Sequence, residues 1–412
     1  MSEPLLTADG QSLKRALQRS SRRARIRAFL LVLPLLVFVM ATFIIPIVQM
    51  NMRSVINTQF SENMPEIGAW FAANPDAEPD EAAYAALAAD LKNAAANRTV
   101  ANAGTRINYD IPGTRSLFTS TGRKAKQIEP PFRETLQEMD ARWGRPDIWA
   151  AMRGASAPMT LNFYQAAIDR KINADGEFER VDANNRIYLT LFLRTFLLSA
   201  IITGLCLTLG FPVAHLLANL PLRYASLLMI LVLLPFWTSL LVRTTSWMVL
   251  LQGQGVLNNI LVGLDLISDA NRLELMYNQT GTIIAMTHIL LPFMILPLYS
   301  VMKTIPPSYA RAARSLGATS WTTFRRIYLP QTIPGIGAGG ILVFILAVGY
   351  YITPALVGGA DGTLISNQIA FHMQSSLNWS LAAALAVMLL VAVLILYWAY
   401  DKLVGIDNMK LG

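Results

Sequence analysis

The sequence carries few charged residues for its length. Only 15% of its 412 residues are charged and 54% are hydrophobic, whereas a soluble domain has about 25% charged residues. A helix that spans a bilayer needs about 20 mostly apolar residues, so the deficit predicts an all-α membrane protein. Six stretches have this length and composition and are predicted transmembrane helices: Ala28–Met50, Leu189–Leu217, Ala225–Leu251, Thr282–Met302, Pro334–Leu356 and Leu381–Tyr400.

Cysteine and histidine are almost absent. Cys206 is the only cysteine and lies in the second predicted span, so no disulfide can form within the chain. The three histidines, His215, His288 and His372, are far apart, and none lies between the first two spans. We find no cluster of metal ligands and no nucleophile paired with a base in that segment. The sequence therefore predicts no catalytic residue and no metal site.

Acidic residues are missing from all six predicted spans. Intramembrane carboxylates serve as proton relays or ion ligands in secondary transporters, so their absence weighs against a secondary transporter or channel that works alone. The sequence also lacks the G-x-x-x-x-G-K-[S/T] motif. We therefore expect this chain to hold no cofactor and to bind no ATP through that motif.

Basic residues are distributed unevenly between the two sides of the predicted spans. Cytoplasmic loops carry an excess of Lys and Arg. Fourteen lie in the two tails and the 303–335 loop: Lys14, Arg15, Arg19, Arg22, Arg23, Arg25, Arg27, Lys303, Arg311, Arg314, Arg325, Arg326, Lys402 and Lys410. The short loops on the other side carry only Arg272. This distribution predicts cytoplasmic termini, with residues 1–27 as a basic tail, and explains the net charge of +8 without nucleic-acid binding.

Residues 51–188 form a long insertion between the first and second spans, and the predicted orientation makes it periplasmic. Its charges nearly balance, and long loops are translocated largely regardless of charge. The stretch "PDEAAYAALAADLKNAAANRT" has the alanine content and early acids of a helix. The insertion is long enough for a folded domain. We expect its core to be thin, so that it leans on the ends of the membrane helices.

The stretch "IPPSYARAARSLGATSWTTFRRIYLP" lies between the fourth and fifth spans, within a cytoplasmic loop at residues 303–333. Prolines suit the first turn of a helix, and Gly317 suits a C-terminal cap with positive φ. Thr319 or Ser320 would cap a second helix, and Pro330 would end it. We therefore predict two short helices with an apolar side. Such a pair either docks in the groove of a partner or packs under its own membrane domain.

The same loop resembles the signature of permease subunits of binding-protein-dependent ATP-binding-cassette importers. That signature reads Glu-Ala-Ala, three residues, Gly, nine residues, Ile-x-Leu-Pro. The chain matches its spacing with these residues: Arg311, Ala312, Ala313, Gly317, Ile327, Leu329 and Pro330. Arg311 stands where the family has an acid. The resemblance implies that the loop docks in a cleft of the ATPase subunit.

Three further stretches resemble spermidine/putrescine permeases: "GFPVAHLLA" (210–218), "LPFWTSLLVRTTSWMVLL" (234–251) and "ISNQIAFHMQSSLNWSLAAALAV" (365–387). The resemblance covers the six spans but not residues 51–188, because the family has a much shorter first outer loop. Analogy with the family therefore assigns no role to the insertion. Contact with a binding protein, decoration and a stabilising cap remain open.

Five residues are candidates for the substrate path. Arg243 would line the path or hold a gate, with Trp237 nearby, although an interhelical structural arginine is the alternative. Tyr350 and Tyr351 would stack on a cation or belong to the interfacial aromatic belt. Asp361, in an outer loop, would attract a cation or contact a binding protein, or simply lie in a solvated turn.

The resemblance implies an inner-membrane permease subunit of an importer, and polyamines are the expected substrates. Its partners would be a second permease, two ATPase subunits that bind ATP, a periplasmic binding protein and membrane lipid. The same machinery importing an opine, an amino-acid-like compound, a phosphonate or ferric iron is the alternative. A membrane-anchored assembly protein is a further one, which the six spans and the spaced loop disfavour.

Overall fold

A computed structural model describes residues 13–173, 177–183 and 186–404. Residues 1–12 of the basic tail and Lys410, which contributed to the predicted orientation, lie outside the described residues. Five described helices are long and apolar enough to cross a membrane: Ala24–Met52, Tyr188–Asn219, Gln279–Thr304, Ser320–Gly349 and Trp379–Lys402. A sixth candidate is a pair of helices, Leu222–Trp237 and Leu240–Gly263, with a 97° bend between them.

The chain divides into two compact units, Met1–Arg53 and Ser54–Gly412. The first unit contains α1 (Leu13–Val39), a π-helical turn (Met40–Ile44) and α2 (Ile45–Met52). The wide turn precedes Pro46, which cannot donate the hydrogen bond that continues an α-helix. A π-turn accommodates such an interruption within one continuous helix.

The second unit begins with the insertion, which is helical and ends in a short hairpin. Its elements are α3 (Thr58–Ser61), α4 (Pro65–Ala73), α5 (Glu81–Ala96), α6 (Val100–Asn108), α7 (Thr114–Arg123), α8 (Phe132–Met139), α9 (Pro146–Ser156), α10 (Asn162–Ala167), β1 (Arg170–Ile172) and β2 (Phe178–Arg180). The two strands are antiparallel, with Arg170 opposite Arg180.

The insertion has a hydrophobic core of its own, and the expectation of a thin core is wrong. Trp143, Phe118 and Phe60 are fully buried. The Phe118 ring lies edge-on to Trp143, with centroids 5.1 Å apart. The Trp143 indole N–H donates to Thr121 Oγ1 at 3.0 Å, so its one polar atom is satisfied inside the core. Aromatic side chains, each of which buries a large area, explain how a domain rich in alanine fills its interior.

The rest of the second unit contains the remaining membrane helices and their loops. Its elements are α11 (Tyr188–Asn219), α12 (Leu222–Leu233), α13 (Leu240–Leu251), α14 (Val256–Gly263), α15 (Gln279–Thr304), α16 (Pro307–Ser315), α17 (Ser320–Thr323), α18 (Leu329–Gly349), α19 (Ile352–Val357), α20 (Ile365–Gln374) and α21 (Trp379–Val404).

Helices α11, α15 and α18 pack together around one apolar cluster. Met294 of α15 is fully buried in this cluster. A Cβ at Gly339 of α18 would lie 2.8 Å from the sulfur of Met294, so only glycine permits this close approach. Small residues at such interfaces bring membrane helices together.

The third predicted span, Ala225–Leu251, is not one straight helix. The α-helix ends at Leu233, a 3-10 turn covers Leu234–Trp237, and α13 starts after Ser239. Pro235 lies within the 3-10 turn, where it lacks the N–H of a continuing helix. Ser239 accepts a hydrogen bond from the Val242 N–H at 3.2 Å and so caps the new helix.

The fifth predicted span, Pro334–Leu356, is also interrupted. Helix α18 ends at Gly349, and Tyr350 is extended, with φ −72° and ψ 131°. A short helix, α19, follows the break. The chain therefore has two helix breaks inside stretches that sequence analysis treated as continuous spans.

Candidate functional site

The loop between α15 and α18 starts with a short helix that a glycine closes. Gly317 has φ +85°, a conformation that glycine adopts without a steric penalty. Its N–H donates to the Arg314 carbonyl at 2.9 Å, and the Ala318 N–H donates to the Ala313 carbonyl at 3.1 Å. These bonds satisfy the last carbonyls of α16. The predicted positive-φ cap at Gly317 is confirmed.

The second half of the loop is not a separate helix. Thr319 caps it as predicted, because its Oγ1 accepts from the Thr322 N–H at 3.2 Å. We expected Pro330 to end this helix, which is wrong: one helix runs from Ser320 to Gly349. A π-turn at Phe324–Tyr328 carries the chain into α18, with the Leu329 N–H bonded to the Phe324 carbonyl. This wider turn accommodates a proline that has no N–H to donate.

A row of aromatic rings connects the loop to the membrane helices. Trp321, Phe324 and Tyr328 stack along one side, with centroid separations of 5.7 and 6.3 Å. Two rings of α11 meet this row edge-on: Phe211 contacts Phe324 at 5.9 Å, and His215 contacts Tyr328 at 4.9 Å. These rings connect the loop directly to α11, and the helix itself continues into α18.

The loop presents apolar side chains to the surroundings. Leu316 is 89% exposed, Trp321 68% and Tyr309 52%. Ala312 is exposed on the same side of α16 as Tyr309 and Leu316. Exposed apolar patches of this kind mark binding surfaces, so the geometry favours a surface that binds a partner over a helix pair packed under its own domain. We call this surface, formed by Tyr309, Ala312, Leu316 and Trp321, the docking face.

The other motif residues occupy the same loop. Arg311 is exposed, Ala313 is half-buried, and Ile327 is 36% exposed. Leu329 is half-buried and Pro330 is exposed.

The docking face is surrounded by positive charge. Within the described residues, no ion pair involves any of the four loop arginines, Arg311, Arg314, Arg325 and Arg326. All four side chains are exposed. A partner that covers the loop would therefore need acidic groups to match them.

The first helix break contains Trp237 and Arg243. Trp237 is 88% exposed at the break. Arg243 lies in the first turn of α13, and its buried Nε has no hydrogen-bond partner within the described residues. One turn further, the Trp247 indole donates to His288 Nδ1 of α15 at 3.1 Å. His288 thus accepts a hydrogen bond from a side chain of α13.

The second helix break contains Tyr350 and Tyr351. The break frees the Tyr350 carbonyl from helical hydrogen bonds, whereas the Tyr351 carbonyl accepts from the Ala355 N–H of α19 at 3.0 Å. Side chains of α20 bond both carbonyls. Ser366 Oγ donates to the Tyr350 carbonyl at 2.6 Å, and Asn367 Nδ2 donates to the Tyr351 carbonyl at 2.7 Å. Side chains of another helix, α20, thereby hold the two tyrosines in place at the break.

A pair of threonines joins the two broken segments. Thr244 of α13 and Thr353 of α19 are fully buried, and their hydroxyl oxygens are 3.1 Å apart. Thr244 directly follows Arg243, so the contact places the Arg243 turn beside the segment that follows Tyr351. Interrupted membrane helices that meet in this way line substrate sites in many transporters.

Asp361 lies in a tight turn of the loop between α19 and α20. The Gly362 N–H bonds to the Gly358 carbonyl at 2.7 Å, and Arg194 Nη1 donates to the Ala360 carbonyl at 2.9 Å. Arg194 of α11 therefore stabilises this turn. The Asp361 carboxylate is exposed and forms no ion pair within the described part of the chain.

Sequence analysis missed Thr244, Ser366 and Asn367, and it assigned no partner to Thr353. Each is a polar side chain in or beside an apolar stretch, and this is the sequence feature that could have indicated a structural role. Their hydrogen-bond partners, however, lie far away in the sequence. Among the described residues there is no group of three or more His, Cys, Asp or Glu placed to hold a metal ion.

Comparison with protein families identifies one match. A model described as the inner membrane component of binding-protein-dependent transport systems matches residues 206–404. The matched range includes the docking loop and both helix breaks, and it excludes the insertion.

Two curated relatives are permeases named for spermidine/putrescine transport. PotB of Escherichia coli (strain K12) is 37% identical over 222 residues, which cover 53% of this chain and 80% of the relative. PotB of Haemophilus influenzae is 35% identical over 226 residues, which cover 55% and 78%. A solved bacterial ABC transporter that imports the polysaccharide alginate is 21% identical, with a TM-score of 0.45 over 54% of this chain and 80% of the other.

Proposed function

The chain belongs to the family of inner membrane components of binding-protein-dependent transport systems, and on that premise we propose that it is one permease subunit of an ATP-driven importer. Its termini lie in the cytoplasm and residues 51–188 in the periplasm. The broken third helix counts as one span, which gives six. The partners are a second permease, two ATPase subunits and a periplasmic binding protein.

The exposed face of the 303–333 loop is the observation that carries this proposal. Leu316 and Trp321 are mostly exposed, and the helix from Ser320 is continuous with a membrane span. An ATPase cleft with acidic groups would cover the apolar residues and match the four arginines. Arg311 replaces the acid of related permeases, so the matching ATPase would carry an acid opposite it.

The proposed cycle follows from population shift. ATP binding closes the ATPase dimer, draws the docked loops together and favours the outward-open permease. Hydrolysis favours the inward-open state. Each ligand must bind one state more tightly for this to work, and the aromatic row from Trp321 to Tyr328 provides the contact through which α11 and α18 follow the loop.

Polyamines are the proposed substrates. The identity to PotB supports this class. Tyr350 and Tyr351 offer ring faces for an ammonium group, and Asp361 offers a carboxylate near the outer end of the path. Because the predicted spans contain no acid, the second permease or the binding protein would supply further negative charge.

A carboxylate-bearing substrate, such as an opine or an amino-acid-like compound, is the second candidate. The position of Arg243 favours it, because a guanidinium with an unpartnered Nε lies beside the junction of the two broken helices. A guanidinium binds a carboxylate in a bidentate geometry, and the same argument applies to a phosphonate. Ferric iron has no comparable support.

The test is uptake of labelled putrescine and spermidine by cells that carry the complete transport operon, with excess arginine or octopine as competitor. Ala312→Trp adds bulk to the docking face, so we expect uptake to fall at least tenfold and the purified ATPase to be lost from the complex. Ala310→Trp makes the same change on the opposite side of α16 without removing an arginine, so it is the matched control, for which we expect only a small loss.

The outcomes separate the two parts of the proposal. Polyamine uptake that competitors do not reduce supports the polyamine substrate. Absent polyamine uptake in the wild type contradicts that substrate but not the importer. Retention of the ATPase by Ala312→Trp, with unchanged uptake, contradicts the docking role of the loop.

A further inference from the structure

An apolar crevice lies between α11, α18 and α21, away from both helix breaks and from the docking face. Its volume is about 390 Å³. Ile336 and Phe344 of α18 form one wall, Leu396 and Tyr397 of α21 another, and Leu207 of α11 a third. The rim is open, because Leu396 and Tyr397 are 43% and 47% exposed.

A glycine keeps the crevice open. Gly340 lines it, and a Cβ added there would have no atom within 4 Å. This differs from Gly339, the next residue, whose missing side chain makes room for α15. The absence of a side chain at Gly340 therefore serves no packing contact within the described chain and leaves space for something else.

The dimensions of the crevice fit a hydrocarbon chain. It extends along α18 from Ile333 to Ile345, which is about 18 Å of helix and close to the depth of one leaflet, about 15 Å. A volume of 390 Å³ over that length gives a mean cross-section of about 22 Å². Two turns of an α-helix occupy about 800 Å³, so a helix of a partner subunit is too thick to enter.

One polar atom at the end of the crevice has no partner. The Tyr400 hydroxyl is buried, lines the crevice and makes no hydrogen bond within the described residues. A buried phenol without a partner costs free energy. It lies near the C-terminal end of α21, where a lipid headgroup region would begin in the proposed orientation.

We propose that this crevice binds one acyl chain of a phospholipid from the cytoplasmic leaflet, with the Tyr400 hydroxyl donating a hydrogen bond to the ester carbonyl at the top of the chain. The choice of leaflet rests on the proposed orientation of the permease. The bound chain would fill the gap above Gly340 and stabilise the packing of α21 against α18.

The experiment uses the assembled transporter in nanodiscs of phosphatidylethanolamine that contain a fraction of phosphatidylcholine with a diazirine in its acyl chain. After irradiation, adducts are mapped by peptide mass spectrometry. We expect adducts on Phe344 and Tyr397 in the wild type. Gly340→Leu fills the crevice and should reduce them about tenfold.

Tyr400→Phe removes only the hydroxyl and should lower adduct formation about fivefold at limiting probe, as for the loss of one hydrogen bond. Tyr397→Phe removes the hydroxyl of a tyrosine that is 47% exposed at the rim of the same crevice and should leave the adducts on Phe344 unchanged, so it is the matched control. Because Tyr400→Phe conserves the ring, it keeps the test decisive if Gly340→Leu does not assemble.

Two results would overturn the proposal. One is an adduct pattern that is the same in the wild type, Gly340→Leu and Tyr400→Phe. The other is a p-benzoylphenylalanine at position 344 that crosslinks to another protein subunit, since a protein then covers the crevice. Both readouts are independent of transport, so failure of the polyamine assignment would leave them interpretable.

Discussion

Asp90 is a fully buried carboxyl in α5 of the insertion. It accepts hydrogen bonds from the Ile67 N–H at 2.8 Å and the Glu66 N–H at 3.2 Å, both at the start of α4. Burial nevertheless dominates and raises the pKa of Asp90 from 3.8 to about 6. A carboxyl whose pKa is raised by folding stabilises the native state least when it is ionised.

The free energy of unfolding should therefore fall between about pH 4 and pH 6 and then level off, because the unfolded chain loses this proton first. The pKa difference corresponds to about 3 kcal/mol in total, of which about 2 kcal/mol falls between about pH 4.5 and pH 7.5. Asp90→Asn should remove that part of the pH dependence. The measurement is hydrogen exchange of the α5 amides at the two pH values.

Asp147→Asn is the control, because the Asp147 carboxylate is partly exposed at the surface of the same domain and pairs with Arg145. We expect it to keep the wild-type slope with pH. An Asp90→Asn variant whose protection declines with pH in parallel with the wild type would contradict the assignment of the effect to Asp90.

Single residues were predictable where the cause is local. The positive φ of Gly317 and the cap at Thr319 follow from residues within five positions, and both are present. The termination expected at Pro330 failed because one residue type was considered without the turn that precedes it. A π-turn changes the hydrogen-bond register before the proline is reached, and the residue types at positions 324–328 do not predict such a turn.

At the level of helices, the two breaks and the contact between them are the main features. The Thr353 hydroxyl has Thr244 Oγ1 within 3.1 Å, and Thr244 Oγ1 also contacts the Leu240 carbonyl at 2.9 Å. Thr244 therefore donates to the carbonyl and accepts from Thr353. Removal of the two hydroxyls should have unequal effects.

Thr244→Val should cost about 1–3 kcal/mol, because it leaves the Thr353 hydroxyl buried without a partner. Thr353→Val leaves Thr244 bonded to Leu240 and should cost less, and the double variant should resemble Thr353→Val. The measurement is the thermal midpoint of the purified transporter, with about 2–4 °C expected per kcal/mol. Equal losses from both single variants, added together in the double variant, would contradict this arrangement.

The two helix breaks could not be predicted from the local sequence. Pro235 signals an interruption, yet proline is tolerated inside other helices of this chain, such as Pro292 and Pro297 in α15. A further factor is whether distant side chains bond the carbonyls at the break, as Ser366 does for the freed Tyr350 carbonyl and Asn367 does in addition to the helical bond of the Tyr351 carbonyl. Those partners are about 16 residues away and are not visible in a local pattern.

At the level of the whole second unit, the insertion is attached to the membrane helices through defined contacts. The Asp169 carboxylate accepts from the backbone N–H groups of Ile187, Tyr188 and Leu189 at 2.9–3.1 Å, which caps the start of α11. The Tyr109 hydroxyl donates to the Leu377 carbonyl at 3.1 Å, just before α21. The insertion is therefore joined to the N-terminal ends of two spans, α11 and α21.

Asp169→Asn keeps the shape but replaces the oxygen that accepts from Leu189 with a donor, and it removes the charge. We expect the cap to lose about 1–2 kcal/mol, so the amides of the first turn of α11 should exchange about 5–30 times faster. Asp182→Asn, on the exposed segment after β2, is the control. Unchanged exchange at residues 187–189 would show that the cap does not hold the helix start.

The helical membrane architecture was predictable because the hydropathy of a span is an average over about 20 residues. The core of the insertion was underestimated for the opposite reason. Its stability comes from a few aromatic side chains, Phe60, Phe118 and Trp143, that are spread over more than 80 residues and meet only in the folded domain. The alanine-rich composition indicated a small core, because composition does not show that these three aromatic side chains pack together.

If the loop moved, the uninterrupted helix from Ser320 to Gly349 would act as a lever that pivots at its close contact with α15. A Cβ at Gly339 would lie 2.8 Å from the Met294 sulfur, so the two helices approach closely there. From there the arm toward the docking loop is about 28 Å and the arm toward Tyr350 about 15 Å, at 1.5 Å per residue. A sideways displacement at Trp321 would therefore move the tyrosine break in the opposite direction and by about half that distance. A large movement at one end of the helix would produce a smaller movement at the other end.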